Sequence, residues 1–381
     1  MPFMKSAVLI LAGLAVCTAA RADNLNSIYS FAGGNAGATP LAGPVYGKRV
    51  LYGTTSTGGK NGGGTIFQVD TATGAATVLY NFATADGTTP MAQMFYQAGK
   101  LYGTTSAGGK KTGCGGGGCG TAFEYDIASG KYTVLHDFSG GSDGGSPGLS
   151  GLTEAKGVFY GTTVNGGPTN NGLAYGISKL AGFLGAVGVF KGGKEPANPN
   201  GGVVWSDGRL YGTSQGGGSK GLGTVYQVRL STEKVRVLHS FAGGSDGAQP
   251  MASMLLVNGV LYGTTAAGGA SSAGTIFSYD LTKPQEAVLY SFGGANGAAP
   301  ATPLIYNRGI FDGTTSAGGT GNVGTVFSFD PKSSQETVLY SFTGAADGGT
   351  PNGIWLDKLT LYGTTQTGGA NGYGTVFGLA P

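Results

Sequence analysis

Residues 250–292 read PMASMLLVNGVLYGTTAAGGASSAGTIFSYDLTKPQEAVLYSF, and this stretch decides the fold. It divides into four short runs: PMASMLLVN (250–258), VLYGTT (260–265), GTIFSYD (274–280) and AVLYSF (287–292). β-Branched and aromatic residues fill the runs, as suits a pleated, half-buried surface. Asn258-Gly259 joins the first two as a tight hairpin, because both central residues of such a turn need positive φ. AAGGASSA and LTKPQE make the other two connections. The four runs therefore predict one small antiparallel sheet.

The unit recurs. LYGTT or a near copy begins at Leu51, Leu101, Phe159, Leu210, Leu261, Phe311 and Leu361, with successive spacings of 50, 58, 51, 51, 50 and 50 residues. A GTIF- or GTVF-like phrase follows each, around Ile66, Ala122, Ala174, Val225, Ile276, Val326 and Val376. A third phrase, like VLYSF, ends at Phe82, Phe138, Phe190, Phe241, Phe292 and Phe342. Its seventh copy is missing after the last unit and stands instead before the first, as SIYSF ending at Phe31. An open array does not explain that offset. A ring closed by its own first strand does. Some 50 residues and four strands per unit are the dimensions of a β-propeller blade, whereas a β-helix needs a far shorter rung. The sequence thus predicts an all-β, seven-bladed propeller forming a single domain over residues 23–381. Residues 27–31 are expected to complete the blade whose other strands lie in 351–379, since an unpaired sheet edge templates aggregation.

This architecture accounts for an unusual composition. The 381 residues include 78 Gly and 15 Pro, close to the share, roughly a quarter, at which aperiodic sequence reads as disordered. Yet only 11 % of residues are charged, and 40 % are hydrophobic, with 18 Phe and 19 Tyr to build a core. Glycine does not recur every third residue, which excludes collagen. Helices are disfavoured because an interior Gly costs about 1 kcal/mol relative to Ala. The glycines gather instead at repeated places, namely LYG, the GG loops, the step into GTVF and the DG turns, where a sheet protein must turn sharply or pack backbone closely.

Residues 1–22, MPFMKSAVLILAGLAVCTAARA, carry Lys5, an apolar stretch and Ala20-Arg21-Ala22. This pattern reads as a secretory signal peptide cleaved after Ala22, and the stretch falls short of the ~20 residues that span a bilayer. Val16 before Cys17 departs from a lipidation signal. Cleavage would remove Lys5 and Arg21 and no acid, leaving 20 basic against 19 acidic residues. A net charge so near zero gives no reason to expect nucleic acid or an anionic membrane as partner. In an oxidising compartment Cys114 and Cys119, in TGCGGGGCGT, read as a disulfide that pins one loop.

Candidate functional residues lie mostly between units. FAGGSDGAQP (241–250) typifies the connecting segment, and its acidic position carries Asp86, Asp143, Glu195, Asp246 and Asp347, with Asn296 and Ala36 in the remaining units. Connections and Gly-rich loops share one face, so this face should bear a circle of carboxylates. Such oxygens could collect Ca²⁺ or another ligand. They could equally cap their own turns through nearby backbone N–H groups, and repetition at one offset favours the turn. No other cofactor and no dedicated metal site is expected. The GG-x-GGG loops join two strands rather than opening a helix, so they are poor phosphate cradles. His136 and His239 stand where other units place Tyr and read as outer-strand substitutes, and no Ser–His–Asp or HExxH pattern appears.

Two carboxylates break the common pattern. Glu154 occupies an inner-strand place where other units have Tyr46, Tyr96, Trp205 or Tyr306, and Asp312 replaces the Tyr of LYGTT. A carboxylate lining a channel is a candidate general acid or ligand group, although drift in a tolerant repeat explains both. The inner-strand aromatics and Trp355 could stack on sugar rings, but packing between blades is their expected work.

The phrases LYGTT-x-x-GG, GT-V-F, VLYSF and DG-x-x-P resemble the bacterial tandem repeat called GloVer, found in choice-of-anchor exported proteins. The resemblance covers residues 27–379 in seven copies. It implies an exported repeat protein and supplies no catalytic residues. Many relatives end in a sorting or anchoring tail, whereas this chain ends at Gly378–Pro381 directly after its last strand. A periplasmic or secreted monomer is therefore expected, with no membrane span. The expected role is a non-catalytic binding or scaffold module for an extracellular glycan, peptide or protein. The alternative is an exported hydrolase or lyase acting on carbohydrates or lactones.

Overall fold

A computed structural model describes residues 25–111, 113–149 and 151–380. The leader read at residues 1–22, with Cys17 and the Ala22 cleavage point, lies outside them. Seven antiparallel sheets form the ring of a β-propeller. Blades 1 to 6 span residues 45–81, 95–137, 145–189, 204–240, 255–291 and 305–341, and blade 7 spans 349–379 together with Leu25–Ser30. Among the described residues the only helical segments are three short 3-10 turns, at Gly34–Ala36, Thr84–Asp86 and Gly244–Asp246. Blade 5 shows the pattern, with strands Leu255–Val257, Val260–Thr265, Thr275–Asp280 and Gln285–Ser291 paired in that order. Asn258 and Gly259 have φ of 51° and 81°, as the hairpin reading requires.

Closure follows the predicted route. Leu25–Ser30 runs antiparallel to Thr375–Leu379, with Leu25 opposite Leu379 and Ser30 opposite Thr375. The strand thus starts two residues earlier than the sequence indicates. The inner strands are shorter than expected. Leu255–Val257 replaces the run read from Pro250, and only blade 7 has a long inner strand, Gly349–Asp357. Residues 250–254 stay out of the ladder and turn inward, although the matching Pro147 and Pro351 are paired in blades 3 and 7. In blade 3 the inner strand is split into Gly145–Pro147 and Thr153–Ala155, both against Val158–Asn165.

The recurring phrases are packing devices. Gly263 of LYG lies opposite Phe277 of GTIF, and a Cβ on Gly263 would sit 2.7 Å from Phe277 Cζ. The ring needs the space that glycine leaves, and Phe277 is fully buried as a result. The last Thr of LYGTT bonds the Thr of the following GT phrase across the same two strands, as in Thr265 Oγ1 to Thr275 Oγ1 at 2.8 Å. The core lies between blades rather than inside one. Ile66 and Phe82 of blade 1 pack with Met94, Leu101 and Phe123 of blade 2. The Phe that ends VLYSF is wholly buried in all seven copies, each contributing about 1.5–3 kcal/mol.

One repeated feature has no sequence signal. The residue before the Pro of each connection is left-handed: Thr39, Thr89, Ser146, Asn198, Gln249, Ala299 and Thr350 have φ of 51–57°. That conformation costs a non-glycine residue roughly 1–2 kcal/mol. It turns Gln249 so that its N–H donates to Leu222 O of blade 4 at 2.8 Å while its carbonyl accepts from Ala266 N of blade 5 at 3.1 Å. The strained residue is a clasp between neighbouring blades.

Candidate functional site

The segments that turn inward after each Pro meet at the ring axis. They enclose a cavity of about 470 Å³ lined by residues of blades 1, 2, 3, 5, 6 and 7. Leu41, Met94, Leu149, Leu152, Ile305 and Ile354 supply apolar wall, and Phe95, Tyr96 and Trp355 supply aromatic surface. The polar groups are uncharged: Gln93, Thr153, Ser253, Thr302, Ser316, Asn352 and Gln366. Two of the amides are held in place. Gln93 Nε2 donates to Pro44 O at 2.9 Å, and Asn352 Nδ2 donates to Pro40 O at 2.7 Å. Trp355 keeps 36 % of its surface exposed. This size and mixture suit a small uncharged ligand.

The inner-strand aromatics divide into two groups. Tyr46 stacks on Tyr362 of the preceding blade at 5.8 Å, and Tyr96 stacks on Tyr52 at 5.9 Å. Trp205 lies under Lys156 Nζ of blade 3, 5.3 Å from its ring centre. Tyr306 packs at a tilt on Phe311, with ring centres 5.4 Å apart. Trp355 is placed differently. It lies opposite Tyr362 on its neighbouring strand, whereas Tyr46 lies opposite Leu51. That one-residue difference turns Trp355 toward the axial cavity.

The acidic positions of the connections sit where outer strands of adjacent blades meet. Asp86 accepts from Tyr80 Oη at 2.7 Å. Asp347 accepts from Tyr340 Oη at 3.0 Å and Thr343 N at 2.7 Å. His136 Nε2 lies 3.0 Å from Asp143, and Asp143 also takes hydrogen bonds from the backbone and side chain of Ser139. Asn296 Oδ1 accepts from Gly293 N at 3.1 Å, and its Nδ2 donates to the Tyr290 hydroxyl and to Glu336 Oε2. Glu195, beside no tyrosine, pairs with Lys191 Nζ at 3.3 Å. Asp246 is 3.0 Å from His239 Nε2 and accepts from Ala242 N at 2.5 Å. The sequence left one thing out: the residue two places before the buried Phe is the partner of the acid that follows. His136 and His239 keep that function where Tyr is replaced. Burial, outweighing the Asp143 carboxylate, holds the His136 pKa below its ordinary value.

Glu154 and Asp312 are not brought together, and neither lines the axial cavity. Glu154 Oε1 accepts from Gly157 N at 2.8 Å, which caps its own hairpin, and stands 3.7 Å from Lys179 Nζ. Asp312 is 4 % exposed and accepts from Ser328 Oγ. It borders a separate cavity of about 180 Å³ between blades 6 and 7, walled by Leu339, Leu356, Leu361 and Leu379. Cys114 and Cys119 form a disulfide. It staples the longest of the loops between second and third strands, in which Thr105 and Thr121 are 16 residues apart where Thr265 and Thr275 are 10 apart.

Among the described residues, one group of three could hold a metal ion, His239, Asp246 and Glu286, with ligand atoms within 4.8 Å of one another. Glu286 Oε1 is shielded from solvent and has no hydrogen-bond partner. Burial first, then the neighbouring Asp246 carboxylate, pushes the Glu286 pKa up to about 7.

The sequence profile of the Gloeobacter/Verrucomicrobia repeat matches residues 14–187 and 181–377. No curated protein matches the chain. Among solved structures it is similar to an oligogalacturonate lyase in complex with manganese, at 12 % identity over 87 % of this chain and 86 % of that one, with a TM-score of 0.54. It is also similar to a chain of a mitotic checkpoint complex, at 11 % identity over 100 % and 98 % with a TM-score of 0.58. An extracellular domain from B. thetaiotaomicron aligns at 10 % identity over 90 % of this chain and 39 % of that one, with a TM-score of 0.57. At such identities the likeness shows the fold alone. No helix among the described residues is long and apolar enough to cross a membrane.

Proposed function

From the premise that the chain belongs to the Gloeobacter/Verrucomicrobia repeat family, we propose that it is an exported, non-catalytic binding module. Its ligand site is the axial cavity, and the ligand is uncharged with an apolar face, such as a neutral glycan. The observation that carries this reading is the lining: aromatic and aliphatic walls, anchored amides, and no acidic, basic or imidazole side chain. General acid–base chemistry needs a titratable group within hydrogen-bond reach of the substrate, and the one such group in this wall is the phenol of Tyr96, whose ring stacks on Tyr52. The Cys114–Cys119 bond supports export to an oxidising compartment. Secretion or residence in the periplasm, and a monomeric state, belong to the same proposal. The acids of the connections are engaged by their own strands, which favours the axis over the acidic rim as the place of binding.

Trp355 gives a direct test. The chain has two tryptophans, and only Trp355 borders the cavity. Titration with neutral oligosaccharides should quench its fluorescence saturably, and Trp355→Ala should weaken binding at least tenfold. No saturable response to neutral glycans or apolar peptides would overturn the axial site. Turnover of a glycan or lactone that disappears in Asp312→Asn would instead favour a hydrolase or lyase working from the blade 6–7 cavity.

A further inference from the structure

We infer that the groove between blades 4 and 5 is a binding site for one divalent cation of the zinc type, ligated by His239, Asp246 and Glu286. The argument comes from comparing this groove with its siblings, independently of the axial cavity. In the grooves between blades 1 and 2, 4 and 5, and 5 and 6, three places converge: the residue two before the buried Phe on one outer strand, the acidic position of the connection, and a fixed register position on the next outer strand. Between blades 1 and 2 these are Tyr80, Asp86 and Tyr132, with the two rings stacked at 4.2 Å. Between blades 5 and 6 they are Tyr290, Asn296 and Glu336, joined by hydrogen bonds. The register positions are equivalent, because Tyr132 faces Tyr125, Glu336 faces Phe329 and Glu286 faces Tyr279.

Charge distinguishes the blade 4–5 groove. Where the third place is acidic in blade 6, the connection carries a neutral Asn296, so one carboxylate is present. At Asp86 the facing residue is a tyrosine. Between blades 4 and 5 two carboxylates and an imidazole occupy the three places together. Among the described residues neither Asp246 nor Glu286 has a Lys or Arg ion pair, whereas Glu154 and Glu195 each have one. Two carboxylates and an imidazole with ligand atoms within 4.8 Å of one another form a chelating set that a cation can bridge. Glu286 Oε1 is out of reach of solvent and accepts no hydrogen bond, and one carboxylate oxygen of Glu286 lies within 4.8 Å of ligand atoms of His239 and Asp246.

The donor set selects the ion. Imidazole with carboxylates suits zinc and its neighbours in the first transition row, while Ca²⁺ takes six to eight oxygens. Bonds of about 2.0–2.2 Å bring tetrahedral ligand atoms within about 3.5 Å of each other. Glu286 therefore needs to close from the present spread of up to 4.8 Å, which rotation of its side chain supplies. His239 and Asp246 side chains are 22 % and 21 % exposed, so the ion has a path in from solvent. Three protein ligands leave a fourth position for water.

The test uses the full mature chain, stripped with a chelator and dialysed. Titration calorimetry with Zn²⁺ should give one equivalent per chain and a raised melting temperature, and Co²⁺ should show the d–d absorption of a low-coordinate site. His239→Tyr restores the residue of blades 1, 5 and 6 and so keeps the turn bond, while Glu286→Gln removes charge at constant size. Each should weaken Zn²⁺ binding by roughly a hundredfold or more, since even outer-shell losses cost tenfold to a hundredfold. The Asp86→Asn variant, in a groove of one carboxylate, should bind as the parent does. Absence of stoichiometric Zn²⁺ uptake, or uptake unchanged in both His239→Tyr and Glu286→Gln, would overturn the site and leave a shared proton as the means of neutralising the pair.

Discussion

In five of the seven connections a tyrosine or histidine two places before a buried phenylalanine bonds the acid or amide of the turn that follows. Tyr80 and His136 perform the same hydrogen-bonding task, but only one of them titrates near neutrality. His136 stacks on Phe183 at 3.8 Å and bonds Asp143 at 3.0 Å, and burial lowers its pKa. The native chain thus takes up this proton less readily than the unfolded chain, whose histidine titrates near 6.5. The stability tied to the neutral ring is present in full above about pH 6.5 and is lost as pH falls through the lower native value. His136→Tyr should therefore stay within about 1 kcal/mol of the parent at pH 7, because hydroxyl and ring can repeat the Tyr80 arrangement. Its advantage should grow from pH 7 to pH 5 in denaturant titrations. Parallel loss of stability in the two proteins would show that His136 does not drive the acid sensitivity. The substitution of Tyr by His was legible in the sequence, and the direction of the bond was not. Tyr80 lies in the outer strand and Asp86, six residues on, ends a 3-10 turn, and no period of strand or helix relates them.

Each blade sets an aromatic ring over a glycine of the neighbouring strand. Gly263 and Phe277 are directly opposed in the ladder, so adding one methyl at Gly263 forces the ring 2.7 Å away to move. Gly263→Ala should cost about 1–3 kcal/mol by overpacking. In Gly263→Ala/Phe277→Leu the smaller side chain accommodates the methyl, so the double variant should be more stable than the sum of single effects predicts. Strict additivity would mean that the glycine serves some purpose other than receiving the ring. Elements of this kind were readable because LYG and GTIF recur together at fixed distance. The length of the inner strand was not. Residues 250–254 have the composition of a strand, but they run toward the axis, where segments of six blades meet, and only Leu255–Val257 is paired. That early divergence makes the axial cavity, whose lining no motif announced. Glu286 was also invisible as a ligand. Its meaning depends on Asp246 and His239 of the neighbouring blade, some forty residues earlier, and its only sequence signal is an acid where blade 4 has Val235 and blade 2 has Tyr132.

For the whole molecule, the decisive interaction joins the two ends of the chain. Leu25–Ser30 pairs with Thr375–Leu379, and Phe31 is buried against Phe67 of blade 1 with ring centres 5.0 Å apart. The first strand therefore closes the last blade and seals the groove to the first. Asn371 Nδ2 donates to Phe31 O, and Thr364 Oγ1 donates to Ala42 O at 2.8 Å, so second-strand and loop positions of blade 7 also grip the start of the ring. Removing residues 25–31 leaves a strand edge unpaired and a hole the size of a phenylalanine, a loss of at least about 3 kcal/mol from the cavity alone. The truncated chain should melt earlier and aggregate with rising concentration, since its open edge invites another strand. A peptide of residues 25–31 added in trans should restore the melting temperature in a saturable way, because it refills both edge and hole. A scrambled peptide should not. This distinguishes a ring closed by one specific strand from blades that merely stack: stacked blades would lose the peptide-sized contribution and nothing else, and their melting temperature would not depend on concentration. A truncated chain that melts with the parent would refute the idea that the displaced seventh copy of the VLYSF phrase is there to lock the circle.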